Sequence, residues 1–146
     1  MEAIIFCGIQ GSGKTSFYKE QFLKTHIRIS LDMLKTRNKE EQFLALCLSS
    51  KQRFVIDNTN PTKEERKKYI LLAREHKFKV VGYYFHSDLF DALNRNSQRQ
   101  GKENIPEVGV RGTFNKLEIP LIDEGFDELF IVELKNNAFV INKIDE

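Results

Sequence analysis

Residues Gly8-Ile9-Gln10-Gly11-Ser12-Gly13-Lys14-Thr15 follow directly on an apolar run and lead into a segment of helical period. This G-x-x-x-x-G-K-[ST] spacing, set between strand and helix, constrains the fold more than any other feature of the chain. A polyphosphate crowded with negative charge needs main-chain N–H donors converging on it, and Gly8, Gly11 and Gly13 let the chain turn tightly enough to aim them. The helix that follows turns its positive dipole end toward the phosphates. Lys14 adds a full charge near the β and γ groups, and the Thr15 hydroxyl can ligate Mg²⁺. Gln10, Ser12 and Ser16 complete the set expected to contact a nucleotide.

Short β-branched runs alternate with longer helical segments over the rest of the chain, the pattern of a parallel sheet with helices on its faces. Strands are expected at residues 3–7, 27–30, 53–57, 79–85 and 128–133. A last strand at 138–142 follows the turn pair Asn136-Asn137 and closes a hairpin. Helices are expected from 14 to about 25, at 39–48 and 61–76, from 88 to about 100, and at 113–117. The third has the best start signals: Asn60 as a cap with Pro61 at the first helical position, or Thr62 and Glu65 as a capping box. Residues 98–107 have no periodicity and read as an exposed, mobile loop.

With 146 residues, 40% of them apolar, the chain fits a single domain over 1–146. Lys and Arg total 23 against 21 Asp and Glu, so no broad basic field announces nucleic acid, although a localised basic groove stays open. No window has the roughly 18 consecutive apolar residues of a membrane span, and the N-terminus lacks a basic leader, so a cytoplasmic location with no membrane partner is expected. Cys7 and Cys47 have neither disulfide nor metal spacing and read as buried thiols. His26, His76 and His86 suggest no relay, Tyr83, Tyr84 and Phe85 read as core, and the cluster Lys63, Arg66, Lys67, Lys68 as a solvated face.

Open α/β sheets put their chemistry at the carboxyl ends of the strands. Asp57 closes the apolar run Phe54-Val55-Ile56, as in a strand that helps hold Mg²⁺ or its water. Asp32 follows the second strand, where a carboxylate can take the proton of an attacking hydroxyl. Arg95 and Arg99 stand four residues apart on an expected helix, from which both can reach the charge that spreads over a transferring phosphoryl group.

Together Gly8 to Ser16, the Asp after the second strand, Ile56-Asp57-Asn58-Thr59-Asn60-Pro61, and Arg95-Asn96 with Arg99 resemble the kinase domain of polynucleotide 5′-hydroxyl kinases. Ile105-Pro106, Leu117-Glu118-Ile119-Pro120 and Glu124-Gly125-Phe126 extend the likeness over nearly the whole chain. The resemblance implies an α/β P-loop NTPase of kinase type, a three-layer sandwich with a mainly parallel central sheet and a C-terminal β-hairpin. It implies transfer of the γ-phosphate of ATP, or another NTP, to a 5′-hydroxyl of RNA or DNA with Mg²⁺.

By position, Asp32 matches the family's general base, Lys14 and Thr15 its phosphate and metal groups, and Arg99, helped by Arg95, its lid arginine. Asp57 matches the acid near the acceptor. Ser30-Leu31-Asp32 stands where the family commonly has Asn-Arg-Asp, and Lys35 stands where the phage-type enzyme holds an acceptor phosphate with Arg. No D-x-D-x-T phosphatase motif or ligase lysine motif is present. Two other readings remain: a kinase of a small alcohol or nucleoside, and a nucleotide-binding switch with little turnover.

Overall fold

The computed structural model describes residues 1–99, 101 and 104–145. In chain order the elements are β1 Glu2–Cys7, α1 Lys14–Gln21, β2 Ile27–Ile29, α2 Leu31–Leu34, α3 Arg37–Ser50, β3 Phe54–Ile56, α4 Lys63–Glu75, β4 Lys79–Phe85, α5 Leu89–Ser97 and α6 Glu107–Lys116. A 3-10 turn at Ile122–Glu124, then β5 Glu128–Lys135 and β6 Ala138–Ile144, complete the chain. The sheet order is β2-β3-β1-β4-β5-β6. Every pairing is parallel except β5 with β6.

β1 is central because residues 3–7 are apolar on both faces and all buried, as a parallel strand covered on both sides requires. On one face α1 contributes Phe17 and Tyr18, with Phe22 just beyond it, to a cluster with Ile4, Phe6, Val55, Val81 and Phe85. On the other, α3 and α4 bring Leu44, Leu48, Tyr69, Ile70 and Ala73 against Ile5, Ile29, Phe54 and Ile56. Three layers result, as the resemblance implied. β3 and β4 lie on either side of β1, so the strand order reverses at its carboxyl end. That crevice, where open α/β sheets bind ligands, receives the glycine-rich loop. Among the described residues no helix is long and apolar enough to cross a membrane.

The expected strands are all present, with β5 and β6 two residues longer. Asn136 and Asn137 turn the hairpin at φ 52° and 62°, the left-handed pair of a two-residue type I′ turn. Helix boundaries moved more. α1 stops at Gln21 instead of near 25, and the chain after it is held by the Tyr18 hydroxyl donating to the His26 carbonyl at 2.6 Å. The helix expected at 113–117 begins six residues earlier, at Glu107 after Pro106. α5 ends at Ser97, and Gln100, named as its limit, lies outside the described residues, as do Lys102 and Glu103 of the expected loop. Within that loop Gly101 and Asn104 are exposed. Ile105 is tied to the buried Asn96 side chain, donating N–H to Oδ1 at 3.0 Å and accepting from Nδ2 at 2.6 Å.

α4 starts with the Thr62–Glu65 capping box. Asn60 is not its cap: the buried Asn60 amide donates to the Phe6 carbonyl at 2.8 Å and so ties the loop after β3 to β1. The reading of 63–68 as a solvated face fails at Arg66, which is fully buried because it shares the inward face with Tyr69, Ile70 and Ala73. Its guanidinium donates to both oxygens of Glu124 at 2.8 and 3.0 Å and to the Asn60 carbonyl at 2.9 Å. Arg66→Ala strands the Glu124 charge and is expected to destabilise the fold by about 3–5 kcal/mol, measured by urea unfolding. A loss under ~1 kcal/mol, the size of an exposed pair, would refute that role.

Candidate active site

Two glycines set the loop. Gly13 sits at φ 99° and Gly11 at φ 79°, and a Cβ on Gly11 would meet the Ala92 carbonyl oxygen at 2.3 Å, so α5 presses directly on the loop. Gly8 N–H donates to the Thr59 carbonyl at 2.9 Å, which joins the loop to the end of β3. Lys14 is buried, and its ammonium donates to the carbonyls of Gly8 and Ile9 at 2.8 and 2.9 Å. Burial lowers its pKa to about 8, although Asp57 pulls the other way. Gln10 Nε2 donates to Thr113 on α6 at 3.2 Å. Among the described residues, Gln10 Oε1 and Ser12 Oγ are buried without a partner, polar atoms that a bound phosphate or water would satisfy.

The loop opens on a crevice of about 190 Å³ whose walls include Lys14, Thr15, Asp32, Asp57, Asn58 and Arg99. A second groove of about 460 Å³ adjoins it, shares Thr15, Asp32 and Arg99, and adds Ser16, Lys19, Arg28 and Lys35. Asp32 therefore stands between the glycine-rich loop and a basic groove. How it is held carries no signal in the sequence. Ser30 caps the single turn α2, accepting from Asp32 N–H at 3.2 Å. Leu31 N–H donates to Asn58 Oδ1 at 2.9 Å, and Asn58 Nδ2 donates to the buried Glu40 at 2.8 Å.

Glu40 also accepts the Tyr69 hydroxyl, at 2.9 and 3.0 Å, and Arg37 at 3.1 Å. Burial alone would raise the Glu40 pKa, but these hydrogen bonds outweigh it and keep the carboxyl below its usual range. The same burial and the neighbouring Glu40 charge raise the Tyr69 phenol. α3 and α4 thus brace the turn that carries Asp32. Glu40 at the start of an expected helix carried no signal of this in one dimension.

Asp57 is buried just past β3. It accepts from Thr15 Oγ1 at 3.1 Å and from Arg28 Nε at 2.7 Å, while Arg28 Nη2 donates to Thr15 Oγ1 at 3.3 Å. Lys35 lines the outer groove and donates to the Asp32 carbonyl. The two arginines part company. Arg99 lies beyond the end of α5 and lines both cavities, whereas Arg95 donates to the Gly11 carbonyl at 2.6 Å and to Ser87 at 2.7 Å. The expected shared helical face is therefore not formed, and Arg95 braces the loop. Cys7 and Cys47 are free and buried as expected, and burial pushes the Cys7 thiol up to about 11, away from nucleophilic use. Among the described residues no group of three or more His, Cys, Asp or Glu could hold a metal ion.

A family model described as an AAA domain matches residues 4–118, from β1 through α6, and so includes the loop, both acids and both arginines. The chain belongs to the AAA domain family. This AAA domain is 28% identical over 138 residues to a bifunctional polynucleotide phosphatase/kinase of Schizosaccharomyces pombe, with 92% of the chain and 34% of the relative covered. It is 37% identical over 135 residues to a protein of Acanthamoeba polyphaga mimivirus provisionally named for the same two activities, with 88% and 32% covered. The chain thus spans about a third of the length of the curated relatives it matches. These names agree with the resemblance carried by the motifs.

Solved structures share the AAA domain's fold. A gluconokinase from Sinorhizobium meliloti 1021 superposes with TM-score 0.61 at 18% identity, covering 90% of this chain and 82% of that one. Kti12 of Chaetomium thermophilum in complex with ADP-AlF3 superposes with TM-score 0.64 at 16% identity, covering 90% and 88%. The fold matches that of P-loop kinase structures.

Proposed function

We propose that this AAA domain is a kinase that moves the γ-phosphate of ATP, or another NTP, to a 5′-hydroxyl end of RNA or DNA. The observation that carries the reading is Asp32 opening onto the same crevice as Lys14, Thr15 and Arg99. The names of the curated relatives support the acceptor class, as does the basic groove beside Asp32 with Lys19 and Lys35 on its wall.

In this reading the loop main chain with Gln10, Ser12, Lys14 and Ser16 holds the triphosphate, and Arg95 keeps the loop in shape. Asp32 accepts the proton of the 5′-hydroxyl, whose oxygen bonds to the γ-phosphorus as the bond to the β,γ-bridging oxygen breaks and the nucleoside diphosphate leaves. Arg99 faces the negative charge on the moving group, and Lys35 meets a phosphate of the acceptor strand. Asp57 borders the acceptor side.

The site fits Mg²⁺. Oxygens sharing an octahedral Mg²⁺ at ~2.0–2.1 Å lie about 2.9 Å apart, and Thr15 Oγ1 and Asp57 Oδ2 are 3.1 Å apart. One hydroxyl and one carboxylate are the few protein ligands expected of a metal that takes its other oxygens from phosphates and water. Bound there, Mg²⁺ would neutralise phosphate charge.

The test is transfer of labelled γ-phosphate to 5′-hydroxyl RNA and DNA oligonucleotides, run beside a panel of nucleosides and small alcohols. Label is expected on oligonucleotide 5′ ends. Label on small molecules alone would replace the acceptor with the rival class, and no transfer to any acceptor would overturn the kinase reading in favour of a nucleotide-binding switch.

A further inference from the structure

Arg28 enters the site from β2, one strand away from β3, and its guanidinium bonds to both protein oxygens suited to Mg²⁺: Asp57 Oδ2 at 2.7 Å and Thr15 Oγ1 at 3.3 Å. The Asp57 side chain is 2% exposed and that of Arg28 21%, so the pair is largely shielded from water. A carboxylate this buried is costly unless a cation answers it, and Arg28 is a cation already in contact. Asp57 Oδ2 already accepts from both Thr15 and Arg28, which uses its two lone pairs, and a divalent ion at ~2.0–2.1 Å from it would stand close enough to the guanidinium for the two positive charges to repel. Arg28 also lines the basic groove next to the crevice, so its long side chain has open space on the side away from Asp57.

We propose that Arg28 is the resident cation of the metal site: it keeps Asp57 and Thr15 aligned while no divalent ion is bound, and the ion must displace it. This rests on the assignment of Thr15 and Asp57 as the metal oxygens. Its consequence is that a free divalent ion binds the protein weakly and enters with the nucleotide, whose phosphates supply the remaining oxygens and draw the ion past the arginine. Arg28 is a positioning residue in this scheme, acting through Asp57 and Thr15.

The experiment measures Mn²⁺ binding to the nucleotide-free protein by electron paramagnetic resonance, together with thermal unfolding in chelator and in Mg²⁺. Arg28→Met is expected to bind Mn²⁺ about tenfold more tightly than wild type, because the buried carboxylate loses its competing cation. Its melting temperature in chelator should fall below that of wild type, and Mg²⁺ should restore it, whereas wild type should change little. Arg28→Lys keeps the charge without the two-pronged reach and should fall between them. It decides the matter if the Met variant folds poorly.

Unchanged or weaker Mn²⁺ binding in the variants, or no rescue by Mg²⁺, overturns the proposal. Asp57→Asn separates the two failures. If it abolishes Mn²⁺ binding in every background while Arg28 variants change nothing, only the role of Arg28 is lost. If Mn²⁺ binds the ADP-loaded protein equally well with Asn at 57, the metal assignment itself is wrong.

Discussion

Replacing Lys14 with Met is expected to weaken nucleotide binding by about 100-fold or more and to remove transfer with it, since truncating one partner of a buried charge pair costs ~2–5 kcal/mol. Lys14 is a buried cation that lines the crevice. The same burial makes binding depend on pH. The free Lys14 amine titrates at about 8 because burial disfavours its charged form. A bound polyphosphate favours that form and raises the value. Affinity is then full below pH 8 and falls as pH rises from 8 toward the bound-state value, by up to about tenfold per unit. Lys14→Arg, which stays charged, should flatten the profile. Isothermal titration with ATP from pH 7 to 9.5 checks both, and a wild-type affinity that holds constant over that range would contradict the role given to Lys14.

Asp32→Asn should do something different. The side chain is exposed and sits on a turn whose cap and bracing bonds use Ser30, Leu31 and Asn58, so the variant keeps its fold. Nucleotide affinity should stay within about twofold of wild type, because in the proposed function Asp32 acts on the acceptor proton, while the turnover number falls by about 10²–10⁴, the usual worth of a positioned base. Single-turnover transfer and ATP titration on the same sample separate the effects. Equal losses of ATP binding in Asp32→Asn and Lys14→Met would undo the division of labour between them, and unchanged turnover would mean that Asp32 is not the base.

The parts of the site that were legible in one dimension are those whose chemistry is local. Gly8 to Thr15 carries its own geometry, because glycines at fixed spacing admit a turn that few other residues can make. Asp57 announces itself as an acid at the end of an apolar strand, and Asn136-Asn137 as a hairpin turn. Asp32 was marked by its place after a strand, a weaker signal; the strand order sets β2 beside β3, which pairs in turn with β1. The helix starts at Glu107 and Leu31 were missed because one follows a stretch rich in polar residues and the other is a single turn held by long-range bonds.

What only tertiary structure decided is the pairing of charges. Arg28 finds Asp57 across 29 positions, Asn58 finds Glu40 across 18, and Arg66 finds Glu124 across 58. Arg28, Glu40 and Arg66 do not look unusual where they stand, and Arg66 sits in a lysine-rich stretch that reads as surface. Arg95 and Arg99 show the same limit in reverse: four-residue spacing predicted one face, yet α5 ends between them and sends one to the loop and the other to the crevice. A charged side chain takes its role from the dielectric and the partner that the fold brings to it, whereas a backbone turn takes its shape from the residues that compose it.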